Sequence, residues 1–343
     1  RGAKVSDKIG SFWNDRKASR GRSHTTLGMI AFIEGNWAKS RTLLTDALKG
    51  SEAPLVNYLL AARASHAMGD ASASRHYLGL AEQTSAKASI AVALTQAEMQ
   101  VDKGRLEEAL ATLTRARRNA ERHPSVLSLL EKGYSGLRDW NSLLELLPDL
   151  RKHNVLPPEK IDSLERQALM GQLEQAAQQS DVSGVQQWWK HLSRAWRRDA
   201  DLTLAYCRKL EALGDHPAAE KVLRIALKQN WSASLVTLYG LIVGSDISRQ
   251  LSTAEAWLKE HPEDAALLLS LGRLSLRNEL WGKAKDYFER CYRRSPSAEV
   301  CFELGRLLSN MNDHAEAERY TREGMQLQGQ ALPELPQPQL AGS

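Results

Sequence analysis

Small residues return along this chain at a period close to 34. Gly28, Ala62 and Ala97 are spaced 34 and 35 residues apart, and Glu131, a poor match to the set, comes 34 later. Cys207, Gly272 and Gly305 resume the register, the last two 33 apart. A second set of small residues accompanies the first: Ser40, Ser74, Ala109, Ala219, Ala284 and Ala317. Turn-forming stretches fall between the two sets, at "EGNW", "MGDA", "KGRL", "LRDW", "LGDH", "NELW" and "MNDH". A period of this length marks a supersecondary unit that cannot bury its apolar face alone and must stack on copies of itself. Ala, Leu, Glu, Gln, Lys and Arg dominate and β-branched residues are sparse, so the unit is a pair of helices. Small side chains at facing positions let the two helices approach closely, and larger ones fill the space around the crossing.

The stretch "LLLSLGRLSLRNELWGKAKDYFERCYRRSP", residues 267–296, carries the pattern most completely. Leu271-Gly272 precedes Trp281, Ala284, Phe288, Cys291 and a closing Pro296, an order that resembles the tetratricopeptide repeat. The expected fold is all-α, a tetratricopeptide-repeat α-solenoid with two repeat arrays joined by an irregular helical segment. The expected boundaries are a basic juxtamembrane arm over 1–22, an N-terminal array over 23–153, a connector over 154–198, a C-terminal array over 199–328 and a disordered, Pro-rich tail over 329–343. Residues 231–262 read as an extra, degenerate helical pair ending at Pro262.

Charge is unevenly placed. Residues 1–22 hold seven Lys/Arg against two Asp, so the net charge of +5 for the 343-residue chain resides wholly in that arm. The neutral body argues against a chain-wide nucleic-acid surface. No run of about 18 apolar residues occurs. Basic arms typically succeed a transmembrane helix on its cytoplasmic side, so this arm is expected to meet an anionic membrane surface. No phosphate-binding glycine loop, zinc-protease motif or nucleophile elbow is present. Cys207, Cys291 and Cys301 lack metal or disulfide spacing and read as buried core thiols. His123, His216 and His261 each precede a proline and read as helix-end residues. No catalytic residues, metal or cofactor emerge from these residues; the expectation is a binding scaffold and not an enzyme.

Two features carry the binding expectation. The residue after each small position faces the concave groove of a tetratricopeptide array: Met29, Arg63, Glu98, Lys132, Arg208, Arg273 and Arg306. With His66 and Arg277 nearby, Arg63, Lys132, Arg208, Arg273 and Arg306 form a candidate cationic groove suited to acidic peptides, a C-terminus or porphyrin propionates. The second feature is "VQQWWKHLSRAWRRD", residues 185–199. Projected on a single helix, Trp189, Leu192 and Trp196 gather on one face, Trp188 flanks them, and Lys190, Arg194, Arg197 and Arg198 oppose them. That segregation favours a structural cluster of Trp188, Trp189 and Trp196 over base stacking, which needs exposed aromatics beside cations; an interfacial membrane helix and a ligand pocket using Trp188 are the alternatives.

The stretches "PLVNYLLAARASHAMGDASASRHYLGLAE" (54–82), "QQWWKHLSRAWRRD" (186–199) and "LWGKAKDYFERC" (280–291) together resemble the HemY family of proteobacterial tetratricopeptide proteins. Asn57-Tyr58-Leu59 and Trp188-Trp189 are the more specific elements. The resemblance implies transmembrane helices ahead of the arm, an inner-membrane location with the repeats facing the cytoplasm, and an association with late haem biosynthesis. It further implies a scaffold for haem-biosynthesis enzymes, with haem or porphyrin as the ligand class. It supplies no catalytic residues. The alternative is a generic protein–protein adaptor of a bacterial membrane or envelope-assembly complex.

Overall fold

The computed structural model describes residues 23–48, 51, 54–85, 88–118, 122–178 and 181–329. The arm over 1–22 and all of the tail beyond residue 329 lie outside the described residues. The described residues are helical with no strand, so the chain is an all-α tetratricopeptide solenoid. It divides into two compact units, Arg1–Gly171 and Gln172–Ser343.

The first unit pairs α1 (23–33) with α2 (Trp37–Ala47), α3 (Pro54–Ala67) with α4 (Ala71–Glu82), α5 (Ser89–Asp102) with α6 (Leu106–Arg117), and α7 (Pro124–Leu137) with α8 (Trp140–Lys152). The unit boundary falls inside α9 (Pro158–Gln178). The second unit continues with α10 (Val182–His191), α11 (Ala200–Ala212), α12 (His216–Gln229), α13 (Ala233–Leu241) and α14 (Ile247–Trp257). It ends with α15 (Ala265–Arg277), α16 (Trp281–Arg294), α17 (Ala298–Asn310) and α18 (His314–Leu327).

The small residues meet inside each pair. Ser40 Oγ donates to the Gly28 carbonyl at 2.8 Å, and Cys207 Sγ lies 3.9 Å from the Ala219 carbonyl. A Cβ added at Gly28 would sit 2.7 Å from Leu44, at Gly272 2.2 Å from the Phe288 ring, and at Gly305 2.5 Å from Thr321 Oγ1. The partner in each case lies one turn beyond the second small residue, so the two small positions admit both the backbone and the large side chain that fills the crossing. The helix-B small residues Ser40, Ala109, Ala219 and Ala284 are fully buried.

Helix starts are capped by short polar side chains. Asp70, Asp139 and Asp215 accept from Ala73, Ser142 and Ala218 backbone N–H groups at 3.0, 3.2 and 3.3 Å. Among its described residues the first unit has two apolar clusters, one around Ala62, Leu78, Ala81 and Val92, the other from Ala97 to Ala168. The second unit has one continuous cluster from Leu173 to Tyr320.

One expectation needs correcting. Residues 185–198 are not one helix. α10 ends at His191, Leu192 is extended, and Trp196–Arg198 form a separate 3₁₀ turn. Ser193 Oγ accepts from the Trp196 N–H at 3.3 Å, and Asp199 caps α11 by accepting from Leu202 at 3.0 Å. Short polar side chains offer the backbone partners outside the helix, and here they start the turn and the helix that follow α10.

Candidate binding surfaces

The groove residues expected from sequence differ sharply in how they are engaged. In the first unit Arg63 pairs with Glu98 at 3.0 Å. These two occupy equivalent positions in adjacent repeats, so the second cancels the charge of the first. His66 is half-buried. Burial, then the charge of Lys103, lowers its pKa, with Asp102 opposing. Lys132 is exposed and makes no ion pair among the described residues.

In the second unit Arg208 is likewise exposed and unpaired among the described residues. The repeat register points Arg273 toward a ligand, but only 8% of it is exposed. Its Nη2 lies 2.6 Å from Glu299 and its Nε 3.0 Å from Glu303. Burial works against its charge, yet the two carboxylates outweigh that and raise its pKa. Arg277 turns inward as well. Its Nη1 donates to the carbonyls of Gly240 and Ile242 at 2.9 and 2.8 Å, and its Nη2 to Leu241. Burial, then the charge of Arg273, lowers its pKa. A guanidinium has five donors in a fixed fork, and α13 ends with carbonyls that need them. Arg306 shares Glu303 but keeps an exposed side chain. Among the described residues the exposed cations at groove positions are therefore Lys132 in the first unit and, in the second, Arg208 and Arg306, the last of these ion-paired with Glu303.

The tryptophans of α10 gather around α11. Trp189 stacks on Tyr206 with ring centroids 4.3 Å apart and planes 5° from parallel. Trp188 lies 6.3 Å from the same ring and donates Nε1–H to Gln172 at 3.3 Å. Trp196 sits in the turn beyond α10. All three are half-buried; Val185 and Leu192 are the deeply buried residues of this stretch. In the first unit Asn57 is fully buried and accepts from Thr25 Oγ1 at 3.1 Å, while Tyr58 and Leu59 pack on the cluster around Ala62.

Among the described residues no group of three or more His, Cys, Asp or Glu could hold a metal, and no helix is long and apolar enough to cross a membrane.

Comparison with known proteins points to one family. Residues 2–69 match the family described as HemY protein N-terminus. Protein HemY of Escherichia coli strain K12 is 26% identical over 312 residues, 91% of this chain and 78% of the relative, and Protein HemY of Shigella flexneri matches to the same extent. These matches support the HemY family for this chain. Residues 298–330 of this chain, which include α17 and α18, also match the tetratricopeptide repeat family. Among solved structures it is similar to yeast Tom70 at 14% identity and a TM-score of 0.30, over 90% of this chain and 69% of that one. It is similar to the anaphase-promoting-complex assembly Cut9–Hcn1 at 13% identity and a TM-score of 0.31, over 90% of this chain and 66% of that one. At such scores neither likeness carries an argument about function.

Proposed function

We propose that this HemY-family chain is a scaffold that binds partner proteins and acts by binding, not turnover. The partners proposed are late haem-biosynthesis enzymes, and the ligand class proposed for the groove is haem or porphyrin. The observation that carries the reading is the set of exposed cations at equivalent helix-A positions: Lys132 in one unit, Arg208 and Arg306 in the other. Exposed cations held on rigid helices at repeat spacing suit carboxylates presented by a partner or by propionates. The family supports a haem-pathway setting. It also supports an inner-membrane anchor with the repeats facing the cytoplasm and the basic arm over 1–22 against the anionic leaflet. The two arrays over 23–153 and 199–328, with a connector over 154–198, are part of the same proposal.

The test is crosslinking of the full-length protein in membranes, then identification of the captured proteins, beside titration of the purified chain with protoporphyrin. Haem-biosynthesis enzymes are expected in the crosslinked set and should fall at least fivefold with the Arg208→Glu/Arg306→Glu double variant. Their absence from the wild-type set would remove the scaffold reading. Porphyrin affinity unmoved by the double variant would remove the groove as its ligand site.

A further inference from the structure

Beyond the helix-A positions, the second unit holds a cationic recess that the groove reading does not use. Its volume is about 320 Å³. One wall is the Trp189 indole with Arg194, Arg197 and Arg198 from the turn after α10; the other is α12, through Val222 and Ile225. All three arginines are exposed, and none has an ion-pair or side-chain hydrogen-bond partner among the described residues. Among the described residues no carboxylate lines the recess. Tyr206 covers one face of the indole. Ile225 is 47% exposed.

An exposed isoleucine alone would mean little. Beside a half-buried tryptophan and three unmatched guanidiniums it forms a surface with an apolar floor and an anion-seeking rim. The kind of cation narrows the occupant. A membrane surface attracts lysine and arginine alike. Lys190, Lys221 and Lys228 are available on α10 and α12, yet the lining contains arginine only. Arginine is favoured where a planar fork meets a carboxylate, and Trp and Arg are enriched, while Lys, Asp and Glu are depleted, at protein–protein contacts. The volume lies at the low end for ligand pockets, room for one bulky side chain and the acid next to it.

We propose that this recess is a second docking surface for an acidic segment of a partner protein. It would seat a bulky aliphatic side chain between Trp189 and Ile225 and hold the neighbouring carboxylates on Arg194, Arg197 and Arg198.

The experiment uses fluorescein-labelled nonapeptide pools, random except at a fixed centre, titrated with the purified chain and read by anisotropy. The centres are Glu-Glu-Leu, Gln-Gln-Leu and Glu-Glu-Gly. The Glu-Glu-Leu pool is expected to bind at least tenfold more tightly than either other pool. Arg194→Glu/Arg197→Glu should weaken it at least tenfold and Ile225→Ser several-fold, with helical content and melting unchanged. Arg194→Lys/Arg197→Lys, which keeps the charge but not the fork, should fall between. Arg208→Glu/Arg306→Glu should leave this binding intact, so the recess and the groove fail or stand separately. Equal binding of the three pools, or affinity indifferent to both the arginine and the isoleucine variants, overturns the proposal. So does arginine-dependent binding to phosphatidylglycerol vesicles with no peptide binding, which would make the recess a lipid site.

Discussion

Seven residues past each small helix-A position, the backbone adopts a positive φ. Gly35, Gly69, Gly104 and Gly214 lie between 71 and 80°, and Arg138, Glu279 and Asn312 occupy the same place at 56, 59 and 61°. This is the left-handed residue that ends helix A and aims the chain back for helix B. Glycine adopts it freely, whereas a side chain crowds its own carbonyl at a cost of about 1–2 kcal/mol. Glu279→Gly should therefore stabilise the second unit by about 1 kcal/mol, seen as a higher urea midpoint at unchanged slope. An unchanged or lower midpoint would mean that Glu279 contributes contacts that offset its strain. The glycine turns were legible as punctuation. The turns at Arg138 and Glu279 were placed by the repeat register alone, because nothing in those residue types signals a left-handed backbone. The same register explains Glu131, the poor match. It sits seven residues before Arg138, is itself buried and accepts a hydrogen bond from Ser135 at 3.1 Å.

The degenerate pair α13–α14 shows the same logic at the scale of an element. α13 stops after nine residues, and its last carbonyls find side chains in place of another helical turn. Gln250 Nε2 donates to Tyr239 and Ile242 at 2.9 and 3.1 Å, and its Oε1 accepts from Gly244 N–H at 2.9 Å. Arg277 supplies Gly240, Leu241 and Ile242. Charge-assisted bonds of this kind contribute about 1.5–3 kcal/mol, and removing the donor leaves carbonyls unsatisfied. Arg277→Ala should lower stability by about 2–3 kcal/mol. Arg277→Lys should recover only part of that, because one ammonium cannot span three carbonyls. Urea unfolding of both variants decides it; a loss below about 0.5 kcal/mol for alanine would show that water replaces the guanidinium. Sequence alone places Arg277 on a binding face, since periodicity gives a residue its side of the helix but not which neighbour ends there unsatisfied. The break after His191 escapes for a related reason. "HLSRAWRRD" contains neither Gly nor Pro, and at the extended Leu192 α10 gives way to a turn and a helix whose starts Ser193 and Asp199 cap.

At the scale of the whole molecule, the periodic small residues made the solenoid readable, because close helix crossing leaves few alternatives to Gly, Ala, Ser or Cys. The recess beside Trp189 was not readable. It joins residues about 30 apart whose proximity depends on the turn at Leu192. Burial at these crossings has a further consequence for pH. Burial raises the pKa of Cys207 strongly and moves Cys291 and Cys301 up to about 11. It also raises Tyr206 and Tyr239 strongly and takes Tyr287 up to about 12. Each group is neutral when protonated, so the folded second unit holds protons that its unfolded chain releases first. These groups contribute stability that is fully present below the unfolded thiol value of 9.0. That contribution is lost as pH rises through about 11 for Cys291 and Cys301. In that window each such group lowers unfolding free energy by about 1.4 kcal/mol per pH unit. Urea midpoints monitored by tryptophan fluorescence should be level between neutrality and about pH 8, then fall steeply toward about pH 10.5. Cys207→Ala keeps a small side chain at its crossing and removes one titrating group, so its alkaline limb should be measurably shallower. A midpoint independent of pH across this range, or a variant with the wild-type slope, would show that these side chains meet water in the folded state.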